Sequence, residues 1–155
     1  MGPSLFWEDF APGMEFSLGG RTVGEADLAI FAGATGDHFP HTDEEYAKRT
    51  QFGRRIAHGA FVFSVSVGLM TQGMPLRESL VAFYGVDRLR FTAPVAPGDT
   101  ITFTKRVVQT AAKGAELGLV TFESTVRNQN GKTVLVYADQ LLLRRRPAPA
   151  REEPA

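Results

Sequence analysis

At 155 residues the chain is the length of one domain, and it contains no cysteine, which excludes a disulfide framework and a thiolate metal site. Its 17 Lys and Arg cancel its 17 Asp and Glu, a balance that argues against nucleic-acid binding, where a basic excess is the rule. A chain of this size can bury roughly 70% of its unfolded surface, so a proper core needs no staples. No apolar run approaches the roughly 20 residues of a membrane span. The start, MGPSLFWEDF, lacks a basic segment followed by an apolar run, so no signal peptide is expected, and a cytoplasmic setting fits.

In chain order, Met14–Val23 carries a short β pattern broken by the bend signal Gly19-Gly20. From Glu25 to Thr35, Leu28, Ile30, Phe31, Ala32 and Thr35 fall near helical spacing. Glu25 and Asp27 suit the first turn and Gly36 suits the stop. Thr42 then reads as an N-cap, with Glu45 completing a capping box and a short helix running through Arg49. From His58 to Gln72 comes the most apolar segment, closed by Gly73 and Pro75. It is too long for an ordinary strand and predicts a buried helix.

The second half is β. Leu80–Phe91 is one strand, ended by Pro94 and Pro97-Gly98-Asp99. Thr100–Val108 and Leu119–Arg127 alternate apolar with polar residues. Asn128-Gln129-Asn130-Gly131 is a hairpin turn, and Lys132–Leu143 is the last strand. Long strands joined by turns make the sheet antiparallel. The fold class expected is α+β, with a long helix wrapped by about five strands. The stretch 144–155, Pro- and Ala-rich and charged, predicts a disordered C-terminal tail.

The chemistry concentrates between Phe31 and Ser64. Asp37, His38 and His41 fall in the turn after the first helix. His58-Gly59 opens the apolar helix, and Ser64 lies within it. Carboxylate plus imidazole is acid–base equipment. A glycine at a helix start leaves N–H groups free for a developing oxyanion. Proton transfer on a carbonyl compound is the reading these residues support. Taken singly they have plainer readings: a capped turn at Asp37, a helix start at His58-Gly59, a back-bonded serine at Ser64. Arg54-Arg55 reads as a solvated pair, with anionic phosphate as the alternative partner.

The Gly36-Asp37-x-x-Pro40 turn, the His41-x-Asp43 pair and Ile56-Ala57-His58-Gly59 before an apolar helix resemble the MaoC-like hydratase family, which includes the R-specific enoyl-CoA hydratases. The resemblance runs to about Leu143, and implies a single hotdog domain over 1–143. The family pattern is D-x-N-P-x-H-x-D, followed by a helix opening at His-Gly with Ser six positions after that His. Asp37, Pro40, His41, Asp43, His58, Gly59 and Ser64 match in type. Phe39 stands where the family often has Asn. His41 follows Pro40 directly, so the loop is one residue short, a displacement of up to about 3.5 Å in an extended chain. Three outcomes stay open: the loop compensates, His38 takes over, or the activity is altered or lost.

The resemblance implies hydration of a 2-enoyl thioester to the 3-hydroxyacyl thioester, or the reverse, without cofactor or metal. It implies Asp37, His41 and Ser64 as catalytic, with His38 as the substitute. It implies Gly59, Ala60, His58 and Pro40 as substrate-binding. The substrate partner would be acyl-CoA or an acyl carrier protein thioester, and the assembly a homodimer or higher oligomer with shared sites. A non-catalytic thioester-binding subunit and an acyl-CoA thioesterase are the alternatives. No nucleic acid or membrane partner is expected.

Overall fold

The computed structural model describes residues 2–147. After a single 3-10 turn at Trp7–Asp9 come β1 (Glu15–Thr22), α1 (Glu25–Thr35), α2 (Glu44–Lys48) and α3 (Gly59–Gly73). The strands β2 (Leu80–Phe91), β3 (Thr100–Lys113), β4 (Leu117–Arg127) and β5 (Thr133–Arg144) follow. All pair antiparallel in one sheet ordered β1-β3-β4-β5-β2. The α+β class and the five strands stand as the patterning implied.

Local chemistry accounts for the element boundaries. Asp27 accepts from the Gly24 N–H at 2.8 Å and so opens α1. Gly36 ends it in the left-handed region at φ 77°. The cap of α2 is Asp43 rather than Thr42. Asp43 accepts from the Tyr46 N–H at 2.8 Å, while the Thr42 hydroxyl is turned back to the His38 carbonyl. The β3–β4 hairpin is longer than the alternation showed, because both strands continue to a tight turn at Gly114.

α3 sets Phe61, Val62, Val65, Leu69 and Met70 against the inner sheet face, where Ile101, Phe103, Val120, Phe122 and Leu141 are buried. Its opposite side, at Ala60 and Ser64, is exposed. The sheet thus wraps the helix as expected and leaves this narrow strip uncovered.

One polar cluster lies inside this core. Lys105 donates to Asp139 at 2.5 Å, and Ser124 donates to the same carboxylate at 2.6 Å. Neither member of the ion pair reaches solvent. Burial pushes the Lys105 ammonium down from its ordinary range, against the opposing pull of Asp139. The Lys105 Nζ also faces the Phe122 ring at 4.5 Å. Tyr137 joins Ser66 of α3 at 2.8 Å, tying the helix to β5. Burial raises the Tyr137 phenol.

The chain ends meet on the sheet. Arg145 pairs with Glu8 at 2.9 Å and Arg146 with Asp9 at 2.6 Å. Of the stretch expected as a tail over 144–155, Arg144 closes β5 and the next two arginines pair with the N-terminal turn. Its remainder, 148–155, lies outside the described residues. Among the described residues no helix is long and apolar enough to cross a membrane.

Candidate active site

The loop between α1 and α2 folds into a compact turn because one carbonyl collects its donors. His38 O accepts from His41 N and Thr42 N, each at 2.9 Å. This turn swings His41 back towards Asp37. His41 Nε2 lies 3.7 Å from Asp37 Oδ2, although the loop is one residue short of the family pattern. The spacing is too long for a direct hydrogen bond and suits one water contacting both atoms.

His41 is buried, and its Nδ1 lies 2.7 Å from the Ile56 carbonyl. A carbonyl only accepts, so Nδ1 carries the proton and Nε2 presents a lone pair. Burial pushes the imidazole below its ordinary range, and the neighbouring His58 adds to this. The Ile56 carbonyl and Asp37 act the other way. The group facing Asp37 is therefore a neutral base near neutral pH.

His58 stacks on His41 with ring centroids 3.5 Å apart and an interplanar angle of 27°. Its Nε2 donates to the Asp37 carbonyl at 2.7 Å. The donor atoms of Asp37, His41 and His58 lie within 4.8 Å of one another, a spacing that a metal ion can span. The geometry does not fit one. Stacked rings send their in-plane lone pairs side by side rather than to a point, and His58 Nε2 is already committed.

α3 begins beside this group, and no side chain caps its first N–H groups. They stay available to an oxygen ligand. The space a side chain would fill at Gly59 is taken by Phe91, whose ring stands 2.8 Å from the Cβ position. Gly59 is thus required by an aromatic ring of β2. Gly59, Ala60, Ile56, Phe52, Phe91 and Val134 line a cavity of about 420 Å³.

The other expected residues sit differently. His38 is exposed, its ring 3.4 Å from the Thr42 hydroxyl. Pro40 is half-buried beside Phe39, which stands 62% exposed and 5.1 Å from the Tyr46 ring. Ser64 donates to the Ala60 carbonyl at 2.8 Å and lines a separate groove of about 410 Å³ with Arg21, Phe31 and Gly68. Within this chain it is not brought to the Asp37–His41 pair. Arg55 bridges Glu25 of α1 and Glu44 of α2, at 2.7 and 2.6 Å, and so ties the start of one helix to the start of the other. Arg54 donates to the Pro97 carbonyl. Two contributors had escaped the sequence reading. The Ile56 carbonyl has no signature beyond its place before His58, and Phe91 read simply as a strand end.

The family profile described as "MaoC like domain" matches residues 9–129, and the chain belongs to that family. It is 37% identical over 122 residues to the (R)-specific enoyl-CoA hydratase of Rhodospirillum rubrum, covering 77% of this chain and 79% of that one. It is 34% identical over 123 residues to the 3-hydroxyacyl-thioester dehydratase Z of Mycobacterium tuberculosis, covering 78% and 82%. Protein MaoC of Klebsiella aerogenes is 40% identical over 97 residues, 62% of this chain, and the match spans 28% of that longer protein. Among solved structures, the MaoC-like dehydratase from Rhodospirillum rubrum superposes with a TM-score of 0.85 at 30% identity, covering 94% of this chain and all of that one. A Mycobacterium tuberculosis protein described as a double hotdog fold gives a TM-score of 0.77 at 21% identity, over 98% of this chain and 47% of the other, a likeness of fold.

Proposed function

We propose that this chain is a hydro-lyase of the hotdog fold, which adds water to a 2-enoyl thioester of coenzyme A or acyl carrier protein, or removes it from the 3-hydroxyacyl thioester. The observation that carries the reading is the 3.7 Å approach of His41 Nε2 to Asp37 Oδ2, with the His41 tautomer set by Ile56. A water between these acceptors donates to both and turns its oxygen outward. That oxygen bonds to Cβ as one proton passes to the pair. The π electrons move to the thioester oxygen, which the free N–H groups of Gly59 and Ala60 hold. A proton from the pair then reaches Cα, so the bond gains one OH and one H. Asp37 and His41 carry the two proton transfers between them. The relatives named hydratase and dehydratase support the same reaction read in its two directions.

The same reading places two or more copies together. β2 is an edge strand with Val81, Tyr84 and Phe91 exposed, and an unpaired apolar edge invites a second copy. The test of activity is absorbance at the conjugated enoyl thioester with crotonyl-CoA. Loss of that absorbance without release of free thiol supports the hydratase. Thiol release points to a thioesterase, and no change with short, medium or long acyl chains points to a non-catalytic subunit.

A further inference from the structure

We infer that His58 is a positioning residue, which locks the Asp37–His41 pair in place, rather than a group that touches substrate. The inference rests on the reading of Asp37 and His41 as the acid–base pair.

Three contacts define the role. The His58 Nε2–H donates to the Asp37 carbonyl and fixes the backbone from which the carboxylate projects. The His58 ring lies flat on His41 and fixes its plane, while Ile56 fixes its edge. His58 is 3% exposed, so a substrate would have to displace its neighbours to reach it.

The remaining atom is the telling one. Among the described residues, His58 Nδ1 is the buried side-chain atom without a hydrogen-bond partner. An unpaired buried acceptor is costly, and sites that keep one have a reason for it. Here a proton on Nδ1 would add a second donor with no acceptor. The Phe31 ring, 4.9 Å away, packs against the His58 ring from the other side. The His58 ring is thus held by its Nε2–H edge and its two faces, with no second hydrogen bond to share. The titratable groups acting on His41 are Asp37 and His58. On the flanking helices, Glu25 and Glu44 are taken up by Arg55, and Asp27 by Arg21.

Imidazole NMR of the wild-type protein tests this without any substrate, since the chain has only three histidines. The His58 Nε2–H should be hydrogen-bonded and slow to exchange, held by the Asp37 carbonyl, and its ring should show through-space contacts to His41 and Phe31. A His58 whose Nε2 shows no protected, hydrogen-bonded proton overturns the inference. Two variants separate the roles in enoyl-CoA hydration. His58→Phe keeps a ring on His41 but loses the donor, and should lower kcat about 10- to 100-fold with KM nearly unchanged. His58→Gln keeps an amide donor but loses the stacked ring, and should move the acid limb of the rate profile. A raised KM at constant kcat in both variants assigns His58 to substrate contact and overturns the inference. If wild type hydrates no enoyl thioester, the proposed reaction fails while the NMR spectrum still decides how His58 is held.

Discussion

Asp37 and His41 differ most in what surrounds them. The Asp37 side chain is 60% exposed, while that of His41 is 9% exposed and bound by its far nitrogen. Removing either should therefore act on rate more than on fold. Asp37→Asn and His41→Gln are each expected to lower the hydration rate by about 100-fold or more, the scale of a positioned acid–base group. His38→Ala should change it little, because that ring faces Thr42. Steady-state rates of the three variants decide between His41 and His38 as the base. The depressed His41 value also fixes a pH dependence of stability. Below its ordinary value of about 6.5 the unfolded chain binds a proton that the folded chain refuses. The stabilising effect is thus complete above that pH and is lost as pH falls towards the folded-state value. Denaturant melts should show wild type losing more stability than His41→Gln between about pH 7 and pH 5.

At the scale of elements, the buried Lys105–Asp139 pair is the test of what holds the sheet. Ser124 and Asp139 fall on the same inner face as Lys105, since Lys105 pairs with Ser124 and Phe122 with Asp139 across the strands. Asp139→Leu alone leaves a buried ammonium unpaired and is expected to cost about 3–5 kcal/mol. Lys105→Met with Ser124→Ala and Asp139→Leu removes the whole cluster, and should come within about 1 kcal/mol of wild type or exceed it. Chemical denaturation of both variants measures the difference. A triple variant as damaged as the single one would show that the cluster does more than compensate itself. The alternation in β3 put Lys105 on the face of Ile101 and Phe103. The sequence of that strand alone held no hint of the carboxylate that satisfies it, because the partner is 34 residues away on β5.

At the scale of the whole molecule, the β2 edge and the Ala60–Ser64 strip of α3 are open among the described residues. The proposed assembly predicts that a second copy covers such exposed groups. Light scattering at micromolar concentration is expected to give at least twice the 16.9 kDa chain mass. Val81→Lys with Tyr84→Lys on the edge should lower that mass, since inward or edge charges block strand pairing. A monomer mass for wild type would remove the shared site from the reading.

What the sequence determined by itself is what depends on near neighbours. α1 and β2 fall where periodicity put them, and α3 begins one residue later because His58 is its cap. The residues able to do acid–base chemistry were also legible, since Asp37, His41 and His58-Gly59 are types whose chemistry needs no context. Tertiary structure decided the rest, for a stated reason in each case. The short loop still brings His41 to Asp37 because the His38 carbonyl gathers two backbone donors in a turn whose tightness no residue count reveals. The tautomer of His41 depends on a carbonyl 15 residues away. Gly59 answers to a ring from β2, and Ser64 turned out to lie in a different groove. Hydrogen bonds and ring contacts between distant segments have no period to read, so only the folded chain could place them.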